Sequence, residues 1–493
     1  MTNRDSYRQI LKATSIFGGV QVFNILIAII KSKFIAVFLG PSGMGIVGLF
    51  SSTIEFISGL TNLGLGVSAV RDISAANETK NEIRIASIVI SFKRIIWVTG
   101  ILGAILTLIF SSWLSEVTFG NKNNTIAFVW LSISLLFSQL TIGQLVVLQG
   151  MRKIQFLAKA NITGNVLSLI ISVPLYYYYR LDAIVFVLII SSIFSFLVSS
   201  FYVHKIKIKK IKVKKIRTLA QSKNMIKMGL IISLSGLMSV GSSYIVKIFI
   251  NKFGGAAEVG LFNAGFAIIN TYVGLIFTAI ATDFYPRLSA VASNNKQCRQ
   301  IINQQAEIAI LLLAPIILVF LTFINWVIIL LYSYQFIAIN EMIYWVAIGM
   351  LFKAVSWSIS FIFLSKGAGK IAFWNEFAAN IYILAFNLIG YKYWGLEGIG
   401  FSFLISYIFY LLQVFFISKI KYKFGFIPEF YKIFIIQLFL VIGCFIIIKF
   451  IGNPYSYFIG SGIIIISSWY SFNELDKRLG LKGVIISLKN KFF

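Results

Sequence analysis

Two cysteines, one histidine and 16 acidic residues are all that 493 positions supply of the side chains used for disulfides, metal ligation and acid–base chemistry. Cys298 falls in a polar loop and Cys444 inside an apolar run, so neither a disulfide framework nor a metal site is supported, and no cofactor is expected. The lone histidine, His204, borders a basic block and is assigned no role. No cleavable leader is expected either. The opening MTNRDSYRQILK is polar and basic, and the apolar stretch behind it is too long for a signal-peptide core, so the first apolar run is expected to stay in the product.

What the chain has in abundance is apolar surface. Hydrophobic residues make up 58% of it, mean hydropathy is +0.89, and apolar runs recur between short polar breaks. Runs longer than about 18 residues can cross a hydrocarbon core, so the reading is an all-α polytopic membrane protein. Fourteen candidate helices start near residues 15, 45, 86, 124, 156, 182, 225, 259, 304, 341, 373, 397, 433 and 456. With the N-terminus in the cytoplasm, the inward segments carry 33 Lys and Arg and the outward loops four, Lys122, Arg180, Lys252 and Lys392. The positive-inside rule then places both termini in the cytoplasm. The net charge of +28 is thereby a record of topology, and nucleic acid is not an expected partner. The block KIKIKKIKVKKIR (205–217) reads as a solvated linker that locks orientation, and it is also placed to meet anionic lipid headgroups. Tyr176 to Tyr179 and Trp394 sit where an outer aromatic belt belongs.

Sliding the chain by 215 residues lays FLGPSGMGIVG (38–48) on FGGAAEVGLFN (253–263), with Phe38, Gly40 and Gly45 on Phe253, Gly255 and Gly260. At the same offset Ile73, Ser74 and Ala75 fall on Leu288, Ser289 and Ala290. Spans 1 and 7 run in one direction, so the repeat is parallel. The expected organisation is two pseudo-symmetric six-helix lobes: an N-lobe over 1–204, a basic cytoplasmic linker over 205–224, a C-lobe over 225–420, and a two-helix extension with a cytoplasmic tail over 421–493. Transporters built from such repeats bind substrate near the midplane, in a central cavity between lobes that rock around it. GMGIVG (43–48) spells GxGxxG, but it follows a membrane helix rather than a strand. The glycines are read as a tight outer turn and close helix packing, not a dinucleotide fingerprint.

Seven basic residues fall within predicted spans: Lys31, Lys33, Lys93, Arg94, Lys247, Lys353 and Lys449. Each costs about 2.5–3.5 kcal/mol at a helix centre and therefore needs a partner, water or an escape to the interface. Lys449, Lys93 and Arg94 lie near span ends and can snorkel. Lys353 lies about 18 Å from either surface at ~1.5 Å per residue and cannot easily do so. Lys31 and Lys33, two residues apart, point to nearly opposite helix faces, and Lys247 minus 215 gives position 32, between them. Lys31, Lys33, Lys247 and Lys353 are thus the candidate substrate-binding residues, lining a positive cavity suited to an anion such as phosphate or pyrophosphate, with snorkelling as the alternative for Lys31, Lys33 and, less readily, Lys353. Glu55, mid-span 2, and Asp283, four residues before Arg287, are candidates for ion coupling, the latter also readable as an i,i+4 pair. Glu307 and Glu376, at inner helix ends, are expected in water.

The segment IIKSKFIAVFLGPSGMG (29–45), continued through GLGVSAVRDISAA (64–76), resembles the N-terminal pattern of the Wzx-type O-antigen flippases of the multidrug/oligosaccharidyl-lipid/polysaccharide exporter superfamily. The pattern is a lysine, a small apolar run and Gly-Pro-x-Gly-x-Gly, here Lys33, Gly40, Pro41, Gly43 and Gly45; EVGLFNAG (258–265), YPRLSA (285–290) and the mid-span Lys353 extend it over roughly residues 10 to 420. The resemblance implies inner-to-outer-leaflet translocation, by alternating access, of an undecaprenyl-pyrophosphate-linked oligosaccharide in a bacterial inner membrane. It implies a non-enzymatic protein working beside membrane lipids and a polysaccharide polymerase, and a monomer is expected because the repeat already supplies both lobes. Two features depart from the family: spans 13 and 14 exceed its usual twelve, and Met350 stands where some relatives carry an acid.

Two other readings stay open. A cation multidrug exporter of the same superfamily is opposed by the excess of embedded lysines over acids. A membrane polysaccharide polymerase or ligase is opposed by outward loops of about a dozen residues or fewer, too short for a periplasmic catalytic loop.

Overall fold

The computed structural model describes residues 3–206, 208–209, 211, 213, 215–269, 274–452 and 454–479. Lys207, Lys210, Lys212 and Lys214 of the basic block and the tail from 480 onward lie outside the described residues. Every regular element among the described residues is helical. The chain divides into two compact units, Met1–Gly260 with Leu331–Ser333, and Leu261–Leu330 with Tyr334–Phe493.

The first unit holds α1 (Asn3–Asn62), α2 (Leu65–Glu78), α3 (Glu82–Ile109), α4 (Ser111–Phe119), α5 (Thr125–Gly150), α6 (Ile154–Tyr179), α7 (Ala183–His204) and most of α8 (Lys215–Ile268). Hydrogen bonding runs on through α1, yet Gly40 sits at φ 66° and ψ −169°, outside helical geometry. A glycine adopts that conformation without a Cβ clash, and Pro41 starts the next helical half, where its missing N–H costs nothing. Gly255, 215 residues later, breaks α8 with nearly the same backbone, φ 79° and ψ 176°. The offset found in sequence is therefore an offset in local structure. Other boundaries have equally local causes: the Asn81 side chain accepts from the backbone N–H groups of Ile83 (3.0 Å) and Arg84 (3.1 Å) and so caps α3.

Two apolar clusters fill this unit, one around Phe92, Leu140, Val147 and Val203, the other around Phe50, Phe128, Leu135 and Tyr176. The same helices leave large apolar side chains exposed, among them Ile126, Trp130 and Phe186. Helices that are apolar on both faces are matched to lipid outside and to each other inside.

The second unit completes α8 and adds α9 (Gly274–Ala290), α10 (Asn295–Leu331), α11 (Asn340–Ser365), α12 (Gly369–Tyr422), α13 (Pro428–Phe450) and α14 (Tyr455–Leu479). A third break, at Gly395, divides α12. With α1, α8 and α12 split at these glycines, and α2, α4 and α9 set aside, the described residues give helices at the fourteen expected positions. Helices α8 and α10 start about ten residues before their apolar runs, because backbone hydrogen bonding continues into water where burial does not. Eight stretches among the described residues are long and apolar enough to cross a membrane.

Side-chain staples hold the last two helices to α10. Arg299 Nε donates to the Gly425 carbonyl (2.7 Å), Asn303 Oδ1 accepts from Ile427 N–H (3.0 Å), and the Phe426 and Phe430 rings stack at 4.1 Å. On α14, Arg478 donates to Glu307 (2.8 Å) and to Glu474 (2.6 Å). Glu307, expected in water, is only 4% exposed: the incoming guanidinium from a helix 171 residues away replaces solvent.

Candidate functional site

The embedded cations sort by what holds them. In the first unit, Lys31 on α1 donates to Ser168 Oγ on α6 (3.1 Å), and Ser168 donates to Ser191 Oγ on α7 (2.8 Å). Seven residues before Lys31, on the same helix stripe, Asn24 Oδ1 accepts from Asn165 on α6 (3.0 Å). Lys33 points elsewhere and donates to the Tyr332 carbonyl (2.6 Å). Two residues advance a helix by roughly 200°, so this divergence is what the spacing predicts.

Lys247 on α8 donates to Ser52 Oγ on the second half of α1 (2.6 Å). Beside it the buried Tyr244 hydroxyl receives Thr53 Oγ1–H (3.1 Å) and pairs with Thr118 (2.6 Å), while Asn251 donates to the Thr118 carbonyl (2.9 Å). Glu55 is exposed and lies one helical turn after Ser52, the partner of Lys247. A carboxylate this deep in a span that is not covered by protein must face water rather than lipid.

This polar row is the middle of a seam in which α8 runs antiparallel to the second half of α1. At one end a Cβ on Gly45 would lie 1.7 Å from the Ala256 carbonyl oxygen, and one on Gly260 would lie 1.9 Å from that of Pro41. At the other end the Gly229 carbonyl oxygen would be 2.0 Å from a Cβ on Gly64. The backbones touch at both ends, and the hydroxyls and Lys247 fill the stretch between. The glycines of GMGIVG thus serve helix packing.

In the second unit, Lys353 on α11 is half-buried among three rings, with Nζ 5.2 Å from the centroid of Tyr407, 5.6 Å from Phe403 and 6.0 Å from Phe277. Those distances fall in the cation–π range, which holds a charge without neutralising it. Tyr407 touches Tyr410 (centroids 6.3 Å), whose hydroxyl donates to Glu376 Oε1 at 2.5 Å; Asn375 and Gln413 complete the network. Glu376, expected in water, is half-buried because the second half of α12 folds back over the first. The signal was present as two polar pairs, Asn375–Glu376 and Tyr410–Gln413, facing one another across the Gly395 break. Asp283 lies on α9, with its side chain outside the described residues.

Lys449 belongs to a different class. Its Nζ lies 2.9 Å from Glu341 and 3.0 Å from Glu397, and Trp345 Nε1 donates to the same Glu397 oxygen (3.0 Å). It is an ion-paired residue rather than one that merely snorkels. Arg94 donates to the Val213 carbonyl (2.9 Å) at the basic linker. Among the described residues no group of His, Cys, Asp and Glu could hold a metal.

The profile of a family described as "Polysaccharide biosynthesis protein" matches residues 34–341. No curated protein matches the chain significantly. Among solved structures, the lipid II flippase MurJ in an inward closed conformation is similar at TM-score 0.65 and 14% identity, covering 95% of this chain and 99% of that one. A multidrug resistance MATE family transporter of the MOP superfamily, inward-facing, gives 0.67 and 14%, covering 83% and 96%. A variant of the Vibrio cholerae MATE transporter VcmN gives 0.55 and 16%, covering 83% and 97%. At these identities the likeness is one of fold: a multi-pass, all-helical membrane fold.

Proposed function

We propose that this chain, which belongs to the polysaccharide biosynthesis protein family, is a flippase. It carries an undecaprenyl-pyrophosphate-linked oligosaccharide repeat unit from the inner to the outer leaflet of a bacterial inner membrane, by alternating access. The product serves O-antigen or a related surface polysaccharide, and a polysaccharide polymerase is the downstream partner. In this reading both termini are cytoplasmic and the chain acts as a monomer. The organisation is an N-lobe over 1–204, the linker 205–224, a C-lobe over 225–420 and the extension 421–493.

One observation carries the proposal: Lys31 and Lys353 are embedded cations held by a hydroxyl and by aromatic faces. Such partners stabilise an ammonium in a low-dielectric setting yet leave its charge for an anion, whereas a carboxylate partner would cancel it. A pyrophosphate on a lipid is the cargo this chemistry fits, with Lys31, Lys33, Lys247 and Lys353 as its contacts and Glu55 and Asp283 as coupling groups. The MurJ likeness spans more of the chain than the MATE likeness does, in keeping with a lipid-linked cargo.

The test is transport in proteoliposomes with a fluorescent undecaprenyl-pyrophosphate oligosaccharide and a quencher on one side. Leaflet exchange by wild type that is lost in Lys31→Ala/Lys353→Ala, with insertion intact, is the expected result. Absence of exchange under every proton, sodium and voltage gradient, alongside export of organic cations, would replace this reading by the drug exporter.

A further inference from the structure

A cavity of about 620 Å³ opens in the second unit at the end that the charge bias assigns to the cytoplasm. Four cations from three separate chain segments converge on it: Arg287 at the end of α9, Lys296 and Arg299 in the first turns of α10, and Arg478 at the end of α14. Two carboxylates also line it, Glu307 and Glu429, and Glu307 is already engaged by Arg478. The walls carry the apolar side chains Ile308 and Ile427.

We propose that this cavity is a binding site for a phosphate group carried on an acyl chain, the headgroup of an anionic phospholipid of the surrounding leaflet. The lining is net positive after both carboxylates are counted, and the cavity lies where helices leave the apolar layer, with α10 entering its hydrophobic run just beyond Ile308. Basic pockets between helices on the cytoplasmic side are built for such headgroups. The floor distinguishes it from a purely charged surface: aliphatic walls beside the cations accept the glycerol and first methylenes while the phosphate meets the guanidinium and ammonium groups. The geometry also gives the lipid a structural consequence. Arg299 holds the α12–α13 linker through Gly425, and Arg478 holds α14 to α10, so a phosphate between them ties the two-helix extension to α10.

The site is independent of what the protein transports, and its test needs no cargo. Delipidated full-length protein is placed in nanodiscs of phosphatidylcholine with or without phosphatidylglycerol, and separately titrated in detergent with inorganic phosphate. Retained lipid is read by native mass spectrometry and stability by the thermal midpoint. Phosphatidylglycerol is expected to be retained over phosphatidylcholine and to raise the midpoint. Arg287→Gln/Lys296→Gln, both on exposed positions, is expected to lower that selectivity about 25-fold, about five-fold per charge. If inorganic phosphate alone raises the midpoint equally, the site stands as a phosphate site whose occupant is soluble. If neither source stabilises the protein, or the double variant folds and keeps its full lipid selectivity, the proposal is overturned. Should the double variant fail to fold, the single variants Arg287→Gln and Lys296→Gln decide: each is expected to lower the selectivity about five-fold, and full selectivity in both overturns the proposal.

Discussion

The reciprocal glycine contact of the α1–α8 seam makes a quantitative prediction. In Gly45→Ala the new methyl would stand 1.7 Å from the Ala256 carbonyl oxygen, and in Gly260→Ala 1.9 Å from that of Pro41. Real Cβ atoms essentially never approach below 3.0 Å, and in both cases the obstacle is backbone, which cannot rotate aside. Each substitution must therefore push the helices apart by more than about 1 Å, and overpacking of this kind costs about 1–3 kcal/mol. Because both clashes are relieved by the same displacement, the second alanine enters a seam already opened by the first. The double variant should cost less than the sum of the singles, with a coupling of about 0.5–3 kcal/mol.

The assay is a double-mutant cycle on the midpoint of thermal unfolding of purified protein. Gly236→Ala is the control, since a Cβ there meets nothing within 4 Å and alanine favours a helix by about 1 kcal/mol. The expected pattern is two destabilised singles, a sub-additive double and an unaffected or stabilised control. Singles that match wild type, or costs that simply add, would refute the reciprocal contact.

The remaining predictions concern charge. Arg478→Ala should lower the thermal midpoint well beyond Lys477→Ala, because it strands the buried Glu307, and an uncompensated buried charge costs about 3–5 kcal/mol. Hydrogen bonds from Lys477, then Arg478, hold the Glu474 carboxyl below its ordinary value of 4.5. A depressed folded value means that the α14 contribution is fully present above 4.5 and is lost as pH falls through the lower folded value, so midpoints measured from pH 7 down to pH 3 should fall only in the acid limb. Lys449→Met should change stability by no more than about 1 kcal/mol, since its carboxylate partners are 41% and 46% exposed, and should leave transport intact where Lys353→Met abolishes it.

Depth and periodicity are one-dimensional properties, and what they determine was legible in the sequence: the fourteen helices, the breaks at Gly40 and Gly255, and the divergence of Lys31 and Lys33. Partners are not one-dimensional. Glu307 reads as an ordinary inner-end acid until Arg478 arrives from α14, and Glu376 until the Gly395 break turns Tyr410 onto it. Lys353 and Lys449 look alike in composition and differ in kind, because one is boxed by Phe277, Phe403 and Tyr407 and the other is paired with Glu341 and Glu397. That difference decides what each can do. A lysine between two carboxylates has already lost its charge to the fold, so an anion gains little by approaching it. A lysine held by ring faces or by a serine hydroxyl, as Lys353 and Lys31 are, is held by neutral groups, which do not compete with an anion for it. In the proposed function those neutral partners of Lys31 and Lys353 favour an anionic cargo such as a pyrophosphate over a cation, and they bear on the choice of cargo more than the number of lysines does.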